Sequence, residues 1–138
     1  MSKTLQYGPP ISLADARRVM AACEAYCEAR EWPMAIAIVD SAARLILHVT
    51  MDGTQNASIA ISRAKAECAV NFKRETKVFE DRIASGGVNL KSLAMPGVIP
   101  VEGGVPLMRN GTVIGAIGVS GMASGEDGEA AKAAAAVL

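Results

Sequence analysis

Hydrophobic positions along this chain change period several times, and each change marks a new element. Ser12, with Asp15 three residues on, precedes an apolar pattern in which Ala16, Met20, Cys23 and Cys27 recur at i, i+4, i+7 and i+11. That spacing predicts one buried face of a helix, closed near Trp32 by Pro33. Met34 to Val39 is an unbroken apolar run ending at Asp40, the pattern of a strand covered on both sides. From Leu45 to Met51 the pattern alternates. Leu45, Leu47, Val49 and Met51 fall on one face, and Ile46, His48 and Thr50 on the other. Asp52–Gly53 then signals a turn.

A second helix is predicted from Ala57 to Phe72, with Ala57, Ile61, Ala64, Cys68 and Phe72 as its buried stripe. Ser58, Ser62 and Lys65 form a separate polar stripe at the same spacing. Thr76 is expected to cap a short third helix that stops at Gly86–Gly87. Residues 85–104 lack periodicity and are rich in Gly and Pro, the make-up of a binding loop or lid. Val105–Arg109 and Thr112–Ser120 flank Asn110–Gly111, a favoured type I′ hairpin turn. Ser124 is expected to cap a final Ala-rich helix. Residues 1–11 read as a leader and 12–138 as one domain. Hairpins call for antiparallel pairing, and fully apolar strands call for cover on both sides. Together they predict an α+β fold, a three-layer α/β/α sandwich around one antiparallel sheet.

Composition narrows the partners. At 138 residues the chain has room for a single core, and its 51% apolar content is too high for disorder. Lys+Arg and Asp+Glu both number 14, so the diffuse positive field needed for nucleic acid or anionic lipid is missing. No apolar run approaches the roughly 20 residues of a membrane span. Met1–Pro10 has no apolar core of a secretory signal, and three cysteines are too few for a disulfide framework. A cytoplasmic protein is expected. Small residues and zero net charge also favour a homo-oligomer.

Several blocks, in order, resemble the GlcG/HbpS-like family, the haem-degrading domain family that includes the C-terminal domain of PduO proteins. They are MAIAIVD at 34–40, MDG at 51–53, SRAKAECA at 62–69, GGVPL at 103–107 and NGTVIGAIGVSG at 110–121, with Asp127 following. The resemblance implies a profilin-like sandwich with a five-stranded antiparallel sheet, assembled as homodimers or larger rings. It also implies binding or degradation of haem or a related tetrapyrrole. Ser41-Ala42-Ala43 replaces the family's glycine-containing turn, Thr50 stands where many members carry Arg, and Cys68 where Thr is common.

Candidate chemistry follows from a few residues. His48 is the one histidine, hence the one ordinary imidazole for haem iron; otherwise it is a strand histidine tucked under a helix. Lys65 can hold a ligand carboxylate, with Ser62 beside it, or lie on a solvated helix face. Gly103 and Gly104 can present backbone N–H groups to an anion or simply permit a bend. Pro106, in the same block, and Thr50 are carried as ligand-facing positions. This places a pocket between the long loop, residues 103–107 and the second helix. An alternative function is a catabolic lyase, isomerase or tautomerase acting on a small organic acid. In that reading Glu102 moves a proton, Lys65 holds the carboxylate, and the Gly103–Gly104 amides stabilise an enolate-like oxygen. Cys23 and Cys27 read as buried apolar residues, and Asp127 as a charge at a helix N-terminus.

Overall fold

The computed structural model describes residues 4–138. It comprises β1 (Gln6–Tyr7), α1 (Leu13–Ala29), β2 (Ala35–Asp40), β3 (Leu45–Thr50), α2 (Ala57–Phe72), α3 (Lys77–Ser85), a 3-10 helix (Gly87–Ala94), β4 (Gly104–Arg109), β5 (Thr112–Ser120) and α4 (Ser124–Ala135). The strands form one sheet between two helical layers, the predicted three-layer sandwich.

The β2 strand is at its centre, wholly buried and antiparallel to both β3 and β5. Its alternation divides the core. Ile36 and Ile38 point to the layer of α1 and α4, where they meet Val19, Met20, Cys23 and Ala130. Ala37 and Val39 point to α2 and meet Ala66, Ala69 and Val70. Residues on the α2 side are small because that helix lies unusually close to the strands. A methyl group at Gly118 would overlap the Ser62 carbonyl, and one at Gly104 would overlap that of Lys65. Close approach of backbones is what these glycines permit.

Ser12 caps α1 as expected, its Oγ accepting the Asp15 N–H at 3.1 Å. The hairpin turn also matches, with Asn110 and Gly111 at φ of 51° and 75°.

Five expectations need correction. The sheet is mixed: β1 runs parallel to β5, pairing Gln6 with Thr112 and Tyr7 with Val113. Part of the expected leader is therefore built into the fold. Tyr7 Oη donates to the Val70 and Asn71 carbonyls, and Ile11 is buried, contacts that no local periodicity announces. Thr76 stands at the N-cap of α3 but its side chain does not cap the helix; Oγ1 instead accepts the Gly104 N–H at 2.9 Å while the Thr76 N–H donates to the Gly104 carbonyl. The cap of α4 is Ala123, one residue before Ser124, with the Glu126 carboxylate accepting the Ala123 N–H. The buried face of α2 is also rotated from the predicted one. Ser58, Ser62, Lys65 and Ala66 face the sheet, whereas Ala57 and Ile59 are exposed.

The β2–β3 turn shows how a Ser41-Ala42-Ala43 turn is held without glycine. Burial pushes the Asp40 carboxyl up, but the Arg44 and Ala42 N–H groups and the Arg44 guanidinium outweigh it and hold the carboxyl below its usual range. Ala43 in that turn sits at φ of 64°, a region costly for any residue with a Cβ. Ala43→Gly is expected to raise stability by about 0.5–1 kcal/mol in urea unfolding. A lower midpoint would show that the turn carries no such strain.

The two margins of the sheet differ. At the β4 margin, Gly104 spends its outward N–H and C=O on Thr76, and two residues on, Pro106 has no N–H to offer. The β3 margin is hydrogen-bonded to β2 alone, and its sequence LILHVT contains neither Pro nor a charged residue.

Candidate functional site

The polar stripe on α2 is the chemical centre of the molecule. Ser62 Oγ donates to the Ile59 carbonyl at 2.9 Å and lies 3.3 Å from His48 Nε2. A hydroxyl whose proton is already committed must accept from the ring, so Nε2 carries hydrogen and Nδ1 is left as the acceptor. No described residue bonds Nδ1. One turn back, Ser58 Oγ accepts from Gln55 Nε2 at 3.0 Å and from Ser120 Oγ at 3.1 Å.

One turn further on, Lys65 is 1% exposed and Asp127 2%. Lys65 Nζ donates to Asp127 Oδ2 and to the Val119 carbonyl, each at 2.9 Å, while Asp127 Oδ1 accepts the Met122 N–H at 3.0 Å. This pair joins α2, β5 and α4 across 62 residues of sequence. Burial pushes the Asp127 carboxyl up, partly opposed by the Lys65 ammonium and the Met122 N–H. Gly103, at φ of 134°, roofs the pair, and a Cβ there would sit 2.7 Å from Lys65 Nζ.

These contacts revise the sequence-derived site. Lys65, Gly103 and Gly104 do come together, but as buried neighbours, with no room for even a methyl group at either glycine. Lys65 binds Asp127, so its ammonium has no open approach for a ligand carboxylate. The Gly104 amide is taken by Thr76 and is not available to an oxyanion. Glu102 lies beside the pair, over Gly128, with its carboxylate 3.8 Å from Lys77 Nζ. The acid-processing alternative thus keeps its candidate base and loses its carboxylate holder. Lys65 and the serines are buried, not a solvated face. The Lys65–Asp127 partnership had no signal in the sequence beyond a lysine on a serine stripe, because nothing local connects positions so distant.

The remaining candidates lie elsewhere. Thr50 ends β3 and lines a cavity of about 410 Å³ with Glu24, Glu28, Val49, Met51 and Asp52. Pro106 lies at the other margin of the sheet, in a cavity with Lys73 and Arg74. Neither cavity is lined by His48. All three cysteines are free and buried. Among the described residues, no cluster of three or more His, Cys, Asp or Glu side chains is arranged to hold a metal ion, and no helix is long and apolar enough to cross a membrane.

Comparison with known proteins gives a consistent picture. Protein GlcG of Escherichia coli (strain K12) is 36% identical over 105 residues, which is 76% of this chain and 77% of that one. The crystal structure of Klebsiella pneumoniae protein ORFY superposes with a TM-score of 0.88 at 28% identity, covering 99% of this chain and 95% of that one. A crystal structure of PduOC in complex with haem superposes with a TM-score of 0.83 at 25% identity, over 94% of this chain and 95% of the other. The profile of the family described as "Haem degrading protein HbpS-like" matches residues 11–136. With its core, its sheet order and nearly its whole length accounted for in this way, the chain belongs to the HbpS-like haem-degrading protein family.

Proposed function

We propose that this chain binds haem or a related tetrapyrrole at the margin where β3 meets α2, with His48 facing the iron. The observation that carries the reading is the state of His48. It is the chain's one histidine, partly buried on an edge strand, with Nε2 anchored on Ser62 and Nδ1 unclaimed. A ring held from one nitrogen is oriented to present the other. Kinship with a family described as haem-degrading, and with PduOC, solved as a haem complex, supports the ligand class.

Testing the residues against such a ligand gives a divided result. His48 is the residue that would hold the iron, and bound iron would supply Lewis acidity and redox chemistry there. Lys65 does not fit as a partner for the propionates, since its charge is matched by Asp127 inside the core. The haem face of the site is therefore the α2 side of the β3 margin, where His48 lies against Ser62. Ser62 acts as the positioning residue, fixing the tautomer of His48.

Hemin titration of the purified chain is expected to give a saturable Soret shift at one haem per site. His48→Ala should abolish the shift without changing the thermal midpoint. Ser62→Ala should weaken binding by about tenfold, the size of effect usual for a group that orients a metal ligand. A Soret titration unchanged by His48→Ala would overturn the assignment.

A further inference from the structure

A second site lies at the other margin of the sheet from His48. The N-terminal segment, the turn between α2 and α3, and β4 border an open cavity of about 410 Å³, within the range that takes small organic molecules. Its apolar wall is Leu5, Val78, Val105, Pro106 and Met108. The turn supplies two cations, Lys73 and Arg74. Lys73 Nζ donates to the Leu5 carbonyl at 2.7 Å and lies 5.2 Å from the centre of the Tyr7 ring, which tethers it at the rim. Arg74 Nε donates to the Phe72 carbonyl at 2.9 Å, which fixes the stem of the side chain. Among the described residues, neither Nη atom of Arg74 has a hydrogen bond, and no carboxylate pairs with Lys73 or Arg74. The acidic residue of this turn, Glu75, also borders the cavity, with its carboxylate 3.5 Å from Lys132 Nζ on α4.

We infer that this cavity binds a small carboxylate carried on an apolar body. Charge and shape both point to that class. A tethered guanidinium with its two Nη groups open is the geometry that grips a carboxylate in bidentate fashion, and the valine, proline and methionine wall takes an aliphatic or aromatic tail. The margin also argues against a peptide as occupant. Strand addition needs a row of backbone donors, and β4 offers none at Pro106 and none free at Gly104. Arg74 has no counterpart in the reasoning for His48, so this site stands apart from the haem reading.

Octanoate and its uncharged isostere octanamide are suitable probes, followed by amide and methyl NMR shifts of the full chain. Octanoate is expected to shift Val78, Val105 and Met108 and to saturate below about 1 mM. Octanamide should bind about tenfold more weakly, and Arg74→Gln should impose a similar loss on octanoate while leaving the thermal midpoint in place. Equal binding of acid and amide, shifts spread over the whole surface, or an Arg74→Gln variant that binds octanoate normally would each overturn the proposal. His48→Ala is expected to leave octanoate binding unchanged. A failed hemin titration sinks the haem reading alone, because octanoate brings no metal to be ligated.

Discussion

Replacing Lys65 by methionine lowers the unfolding free energy by about 3–5 kcal/mol, because it leaves a carboxylate uncompensated in the core. The geometry gives Asp127 little alternative. It is 2% exposed, and its one other bond is the Met122 N–H. The sign with pH is fixed as well. Burial already sets the folded carboxyl above its ordinary value of 3.8, and removing the ammonium raises it further. Between the unfolded and folded values the native chain holds the extra proton, so acidification favours folding. The deficit of Lys65→Met should therefore shrink from pH 7 to pH 5. Lys65→Met with Asp127→Leu should recover most of the loss, since an apolar pair of similar volume often matches a buried ion pair. Urea unfolding at the two pH values measures all of this. A single variant as stable as the parent, or one whose deficit grows on acidification, would mean that Asp127 finds another partner.

Gly118→Ala is the second large effect, expected at about 3 kcal/mol or more and with loss of soluble yield. Small-to-large changes usually cost about 1–3 kcal/mol because side chains shift to make room. Here the obstruction is backbone: the added carbon meets the Ser62 carbonyl and the Ala66 nitrogen. Relief requires α2 to lift from the sheet, which would also part Ser62 from His48 and Lys65 from Asp127. Gly125→Ala, where an added carbon meets nothing, is the matched control and should be neutral or mildly stabilising. Thermal unfolding that placed the two variants together would show that α2 moves freely.

Much of the architecture was legible in the sequence, and for definite reasons. The run from Met34 to Val39 has no polar residue until Asp40, so it could only be a strand covered on both sides. Asn110–Gly111 specifies its turn through two positive φ values. What escaped was whatever depended on distant parts of the chain. On α2, Ser58, Ser62 and Lys65 read as a polar stripe that faced either a ligand cleft or solvent. They point inward because Ser120, His48 and Asp127 wait there to satisfy them. The glycines of residues 103–104 read as a bend or an anion cradle, and their use, admitting a helix backbone, emerges only once α2 is docked. Thr50 and Pro106 were grouped with Lys65 as ligand-facing positions, yet the fold sends them to opposite flanks. His48 alone kept both of its original readings, since it is tucked against α2 and still shows one open nitrogen.

Proline at position 106 has a bearing on assembly. A sheet lengthens only by recruiting unsatisfied peptide groups, and this one is blunted at Gly104 and Pro106 on the side of its C-terminal hairpin while remaining receptive on the side of LILHVT. Two copies meeting through their receptive flanks would bury both of them and turn both blunted flanks outward. Growth of that kind would end after one addition, because the flank left outward on each copy is the one blunted by proline.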